Sequence, residues 1–489
     1  MRLEYLSRNA RYLLPAMMLL SLLLHVRMLN RDLVGAHVWR QTQTQTVINN
    51  FATESLNILE PRINNHAHTD RIHRMEFPVM QWVFALFFKV FGQHIIISRI
   101  LTLLIGFASV IGMYRLCSLL FNNKGVGVIA AWAFSFSPLF YYYTVNPLPD
   151  NFALCCAIWS LVFFFRYVQA PVLKNIIISA VFLCLATLAK LPFVIYGVVA
   201  VAYWLIYSKE SLRKLWIPLV IYILVLIPAM AWYIAVIPGW TGNGVVAGVL
   251  DTSNYTVSGV LHILSGTLVS TLPEMLLNYA ATPLFIAGLF FLFQRRLWKH
   301  DYFMPLLFLL LGVTAYYLFE INMITLVHDY YLFPFLPLLF IVLAYGAYSL
   351  LSMPPKWYRV VTMILLLALP ILAMARINGR WDTDNPGFNK VYYHHKEELR
   401  NLVPEDSYCV VGNDESGFIV LYYLDRKGWT YKSDMLNEHD LRYFITCGAG
   451  YLFVDGVADD NPGVKELTEG MVYQNEGLKV YKLKKAEEI

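Results

Sequence analysis

Charge is the scarcest feature of this sequence. Only 15% of its 489 residues are Asp, Glu, Lys or Arg, against about a quarter in an ordinary soluble protein. That excludes a solvated disordered chain and, with the long apolar runs, a single water-soluble globule. Cysteine is sparse as well. The six cysteines form no CxxC pair and no Cys/His cluster, which argues against a zinc or iron–sulfur centre. Cys155 and Cys156 are neighbours in an apolar run and read as lipid- or core-facing. No small-x-small cleavage motif follows the apolar stretch 12–24; the chain runs on into His25, Arg27, Asn30 and Arg31. The stretch therefore reads as an uncleaved first span, not a signal peptide. There is no internal repeat and no low-complexity tract. The loop 412–417 lacks a phosphate-binding glycine pattern, and a net charge of +5 gives no reason to expect a nucleic-acid partner.

What is present is hydrophobic: 58% of the chain, with a mean hydropathy of +0.52. Apolar segments at 12–24, 95–121, 126–145, 152–168, 176–189, 193–207, 215–237, 275–293, 303–319, 331–351 and 360–375 predict a polytopic α-helical membrane protein of about eleven spans. The connecting loops sort by sign. Arg2/Arg8/Arg11, Arg115/Lys124, Arg166/Lys174, Lys209/Arg213/Lys214, Arg295/Arg296/Lys299 and Lys356/Arg359 fall in every second loop. This is the positive-inside pattern with a cytoplasmic N-terminus. Counting Val79–Phe91 as a further span would break the alternation, so that segment is read as interfacial. The domain reading is a transmembrane part over 1–375, with a large first outer loop 31–94, and a soluble extracytoplasmic tail over 376–489. The whole sits in a membrane, read as the bacterial inner membrane, in contact with its lipids.

The tail changes composition. Residues 408–412 (YCVVG) and 451–455 (YLFVD) read as short buried strands. Segments 395–402, 438–445 and 464–469 read as helices, and 471–473 with 479–483 as a terminal hairpin. This predicts a small α/β domain. Cys409 and Cys447 lie in it on the oxidising side, either as a disulfide or as two free thiols.

Unusual polar residues gather in the outward loops, where ionisable groups near membrane depth are costly and tend to be functional. The first loop carries His37, Trp39, Arg40, Gln41 and Gln43, with apolar positions spaced for an amphipathic surface helix starting near Gln41. Further along come His66, His68 and His73, whose spacing is no ligand pattern, and then Glu76. The second loop ends in Asp150, directly before a span. As an acid at a helix N-terminus it is either a cap favoured by the dipole or part of a pocket walled by the preceding prolines and tyrosines. Lys190 ends the fifth span, either snorkelling or holding a phosphate as a point charge. His328, Asp329 and Tyr330 bring an imidazole, a carboxylate and a phenol to the same level. Such a face suits a substrate with a polar head and a long apolar tail, such as a sugar on a polyprenyl phosphate. Carboxylates would deprotonate an acceptor hydroxyl or, with a divalent ion such as Mg or Mn, neutralise the phosphate. Arg40 and Lys190 would do the latter without metal.

In these motifs the chain resembles the GT-C membrane glycosyltransferases, of the dolichyl-phosphate-mannose-protein mannosyltransferase-like and aminoarabinose-transferase-like kind. The residues that carry the resemblance are 37–44 (HVWRQTQT), 75–78 (MEFP), 98–100 (SRI), 137–150, 188–190 and 328–337, in order and on one side. The resemblance implies an inverting transfer from a polyprenyl-phosphate sugar to a glycan, lipid or protein acceptor. In that family an acid of the first outer loop is the base or metal ligand. Here Gln41 and Gln43 stand in that stretch, and an amide cannot act as a base. Asp150 and Glu76 are then the candidate base or metal ligands, with His37 as substitute base. Arg40, Gln41, Gln43, Lys190, His328, Asp329 and Tyr330 are the candidate substrate contacts. Two other classes compete. A flippase for a lipid-linked saccharide should show inverted repeats and mid-membrane polar groups, whereas the polar groups here lie at one face. A non-catalytic subunit is favoured only by Gln41 and Gln43.

Overall fold

A computed structural model describes residues 4–66, 70–207, 212–240, 248, 256–324, 328–432, 436–455 and 462–488. His68 and Lys209 lie outside them. The chain divides into two compact units: Met1–Asn30, Met75–Met80 and Arg99–Ile377 form the first, and Arg31–Arg74, Gln81–Ser98 and Asn378–Ile489 the second. Most of the first outer loop thus groups with the tail, where the sequence reading had kept it with the membrane part.

The first unit is helical. Counting the described residues of the whole chain, seven helices are long and apolar enough to cross a membrane: Glu4–Leu29, Ile95–Leu120, Pro149–Gln169, Trp216–Gly239, Val257–Leu277, Asp329–Leu351 and Lys356–Trp381. Shorter apolar helices include Lys124–Ser135, Leu173–Ala189, Leu191–Tyr207, Thr282–Gln294 and Phe303–Phe319. Against the eleven expected spans, two differences have local causes. The segment 126–145 is two helices, because Lys124–Ser135 stops and Pro138, which has no N–H to give, opens Pro138–Tyr143. The Ser137 hydroxyl caps that second helix by accepting from the Phe140 N–H. The expected outward loop 238–274 contains the helix Val257–Leu277, whose second half is wound as a π-helix containing Pro273. Elsewhere helices approach closely. A side chain on Gly346 would strike the Leu284 carbonyl and the Gly288 backbone, which lets Leu336–Leu351 lie against Thr282–Gln294.

The second unit holds a five-stranded sheet. Its strands are β1 (Tyr408–Gly412), β2 (Gly428–Tyr431), β3 (Ala449–Asp455), β4 (Thr468–Asn475) and β5 (Leu478–Leu483). The order is β2-β1-β3-β5-β4. β2, β1 and β3 are parallel, and β5 and β4 add as an antiparallel hairpin. Alternate residues face opposite cores. Cys409, Val411, Phe453 and Val480 pack with Tyr392, Leu399 and the helix Ile419–Leu424, whereas Val410, Leu452 and Val454 pack with Leu441 and Ile445 of Glu438–Thr446. Both faces are covered, as a parallel sheet requires. The first-loop segment 64–66 closes the β2 edge: Gly428 donates to the Asn64 carbonyl at 3.1 Å and accepts from the His66 N–H at 2.7 Å. Both cysteines of the tail are free, Cys409 buried in β1.

Candidate functional site

In the first unit, several of the sequence-selected residues converge. Pro149 opens the helix Pro149–Gln169 and puts Asp150 in its first turn, 1% exposed. Lys190 follows the last residue of Leu173–Ala189, where Pro192 ends the α-helix and a tighter turn, Leu191–Gly197, takes over. The Lys190 ammonium lies 3.6 Å from the Asp150 carboxylate, with side chains 13% and 2% exposed. It also sits 4.4 Å from the ring centre of Tyr331 and 5.7 Å from that of Tyr330, a cation on an aromatic floor. Lys190 is thus no snorkelling surface lysine.

The Tyr330 end is fixed by neighbours. The Tyr330 hydroxyl and His328 Nδ1 are 3.2 Å apart, and Tyr143 donates to Asp329 at 2.7 Å. Tyr196 donates to the Pro334 carbonyl at 2.9 Å, tying the two tight turns together. The Asp150 loop has its own anchor. Arg99, 1% exposed, donates to the Val145 carbonyl at 3.0 Å and to the Asn146 side chain at 2.8 Å. Asn151 then donates to the Tyr143 and Asn146 carbonyls. A buried guanidinium therefore replaces the missing regular backbone bonds of this turn. The Glu76 strap docks by backbone. Phe77 donates to the Leu188 carbonyl at 2.9 Å, and Trp232 donates to that of Met75 at 3.1 Å. Glu76 is thereby held beside the chain two residues ahead of Lys190.

Glu320 was passed over in the sequence except as a loop boundary. It ends the helix Phe303–Phe319, is 6% exposed, and its Oε2 has no hydrogen-bond partner. Burial raises its carboxyl to about 7, partly offset by Lys190. Both Glu320 and Asp150 act electrostatically on the Tyr316 phenol. The signal was available: an acid at a helix C-terminus opposes the dipole and so calls for another reason to be there.

In the second unit, the helix Val38–Thr53 carries the remaining candidates. It is not a surface amphipathic helix. Arg40, Gln41 and Gln43 are 6%, 0% and 5% exposed, as buried as Val47 and Ile48. Several of the polar groups bond locally: Arg40 donates to Gln43, Gln41 to the Ala36 carbonyl and Thr44 to the Arg40 carbonyl. His37 precedes the helix in the left-handed region and makes no side-chain cap. His66 packs against Tyr408 and Trp429, and His73 against Phe418, which suits a packing role better than metal binding.

Among the described residues no three His, Cys, Asp or Glu side chains gather as a metal site. At Asp150 an added cation would also compete with the Lys190 ammonium.

Residues 75–234 match the family model described as dolichyl-phosphate-mannose-protein mannosyltransferase. A sequence comparison with curated proteins finds no match. Among solved structures, ArnT from Cupriavidus metallidurans, bound to undecaprenyl phosphate, superposes with a TM-score of 0.61 at 13% identity, over 97% of this chain and 98% of that one. The oligosaccharyltransferase of Archaeoglobus fulgidus gives 0.61 at 13% identity, over 97% and 74%. It is also known in complex with zinc and sulfate. The mycobacterial arabinofuranosyltransferase AftD gives 0.52 at 15% identity, over 97% and 41%. The chain is therefore a membrane protein that shares the fold of these transferases, and within it residues 75–234 match the dolichyl-phosphate-mannose-protein mannosyltransferase model.

Proposed function

We propose that the protein transfers a sugar, with inversion, from a polyprenyl-phosphate donor to an acceptor hydroxyl on the outer side of the membrane. The observation that carries this reading is the buried Asp150–Lys190 pair over the Tyr330–Tyr331 floor, within the segment and fold that match the transferases. The acceptor is a glycan, a lipid or a protein.

As the glycosidic bond breaks, negative charge grows on the departing lipid phosphate. Lys190, held 3.6 Å from Asp150, is a preorganised cation for that charge. Asp150 keeps the ammonium charged and aimed. The His328–Tyr330 pair adds a hydroxyl or imidazole donor at the same place. For the acceptor proton two acids of this unit are the candidates, Glu76 and Glu320. A carboxyl raised to about 7 suits a base working at neutral pH, which ranks Glu320 with Glu76. Arg40, Gln41 and Gln43 are proposed as further substrate contacts, and His37 as a substitute base.

The test is transfer from a panel of radiolabelled polyprenyl-phosphate sugars by the full chain in lipid nanodiscs. Product formed from at least one donor supports the reading. Lipid-sugar translocation without product would instead assign a flippase.

A further inference from the structure

A second site lies in the soluble unit. A cavity of about 470 Å³ is lined by Trp39, Phe388, Tyr392, Asn389, Asn413 and Asp455, among others. Pockets of roughly 300–1,000 Å³ are the usual size for small ligands. Its position follows from the topology. Asn413 follows the last residue of β1 and Asp455 ends β3, neighbouring parallel strands whose helices leave to opposite faces. In such sheets the loops part at the carboxyl ends of the strands and leave a crevice there.

The lining chemistry narrows the occupant. Tyr392 is 0% exposed, and its hydroxyl has no hydrogen-bond partner, a costly state unless a ligand supplies one. Asn389 donates to Asp455 at 3.0 Å. Burial raises the Asp455 carboxyl, against the Asn389 and Asn413 amides that lower it. Asp414 and Glu415 are also in the lining, and among the described residues no Lys or Arg is. Asp414 is consumed in the turn, accepting from the Gly417 and Val420 N–H groups. Carboxylates without a cation repel phosphates and nucleotides. An unsatisfied hydroxyl and buried carboxylates penalise a purely apolar ligand. Flat Trp39 and Phe388 surfaces beside hydroxyl, amide and carboxylate groups match a ring with an apolar face and a hydroxyl rim.

We infer that this cavity binds a sugar ring carrying no negative charge, as a subsite for a glycan. The inference rests on the geometry of the soluble unit and does not require the transfer reading.

The experiment uses the full chain in nanodiscs without donor lipid. Saturation-transfer NMR and titration calorimetry are run with the methyl glycosides of mannose, galactose, N-acetylglucosamine and glucosamine, with glucose 6-phosphate as the anionic probe. Binding of at least one uncharged or amino glycoside is expected. Tyr392→Phe and Asp455→Asn should each weaken it by about tenfold, the cost of one lost hydrogen bond. Should either variant unfold, Asn413→Gly keeps the left-handed backbone of Asn413 (φ 58°) and removes only the exposed amide; it should weaken binding in the same direction. Binding should persist in Asp150→Asn, which separates this site from the membrane one. No glycoside binding, binding insensitive to all the variants that fold, or preferred binding of the phosphate would each overturn the inference.

Discussion

Removing either partner of the Asp150–Lys190 pair should cost stability and transfer, but the two losses should respond differently to removing both. At 3.6 Å and an effective dielectric constant of about 20, two unit charges attract by roughly 4–5 kcal/mol. With side chains 2% and 13% exposed, neither charge regains water when its partner is lost. Asp150→Asn alone should therefore destabilise by about 3–5 kcal/mol, as should Lys190→Met. In the double variant both charges of the pair are gone, so part of that loss should return, giving a coupling of about 1–3 kcal/mol. Transfer should not return. A cation facing the leaving phosphate is worth about 3 kcal/mol, or on the order of a hundredfold in rate, and methionine cannot supply it. The assay is a double-mutant cycle, read once by thermal unfolding in nanodiscs and once by kcat for sugar transfer. Recovery of transfer together with stability in the double variant would show that the pair is only a structural strut. Wild-type turnover in Lys190→Met would refute the phosphate role outright.

Glu320 makes stability depend on pH with a definite sign. Its folded pKa, about 7, lies above the usual value of 4.5, so between those values the folded chain holds a proton that the unfolded chain releases. The stabilising contribution is complete below the unfolded pKa and is lost as pH rises through about 7. Unfolding midpoints at about pH 5 and about pH 8 should differ less in Glu320→Gln than in wild type, and an identical difference in both would dismiss the assignment. For topology, reporters inserted after Arg380 and after Lys299 should register opposite sides of the membrane, the first outside, from the alternation of basic loops; a cytoplasmic signal after Arg380 would reverse the assigned sidedness of every candidate residue.

The membrane fold was legible because apolar length and loop charge are local properties. What was misread depended on single residues or on distant partners. Pro138 opens a second helix inside a segment that hydropathy alone runs through. Val257–Leu277 was assigned to a loop because Ser, Thr, Pro and Glu dilute its apolar character. In the tail, YCVVG and YLFVD were recognisable as β-branched and aromatic runs. β2, only four residues including Gly428 and Thr430, carries no alternation to read. The IVLYYL run of Ile419–Leu424 fits strand and helix equally by composition. At the membrane site, Asp150 and Lys190 were chosen for their residue types and given separate tasks. Their pairing joins residues forty positions apart and leaves no trace in either segment. Arg40, Gln41 and Gln43 look like a polar helix face because sequence counts polarity and not the intrahelical bonds that allow it to be buried.

The interleaving of the second unit sets a schedule for biogenesis. Tyr423 donates to the Leu33 carbonyl across 390 residues of chain, and Lys396 and Tyr422 reach back to Asp32. At a synthesis rate of about 5–20 residues per second, the first loop waits roughly 20–80 s for those partners to be made. During that interval Leu33, Val38 and the peptide groups of 64–66 lack their neighbours from the tail, while most of the membrane helices are still being inserted. A chaperone that holds extended apolar segments would act in this window. A tail severed near residue 376 and expressed alone would lack the strand edge cover at Gly428, and would regain it only when residues 31–74 are supplied in trans.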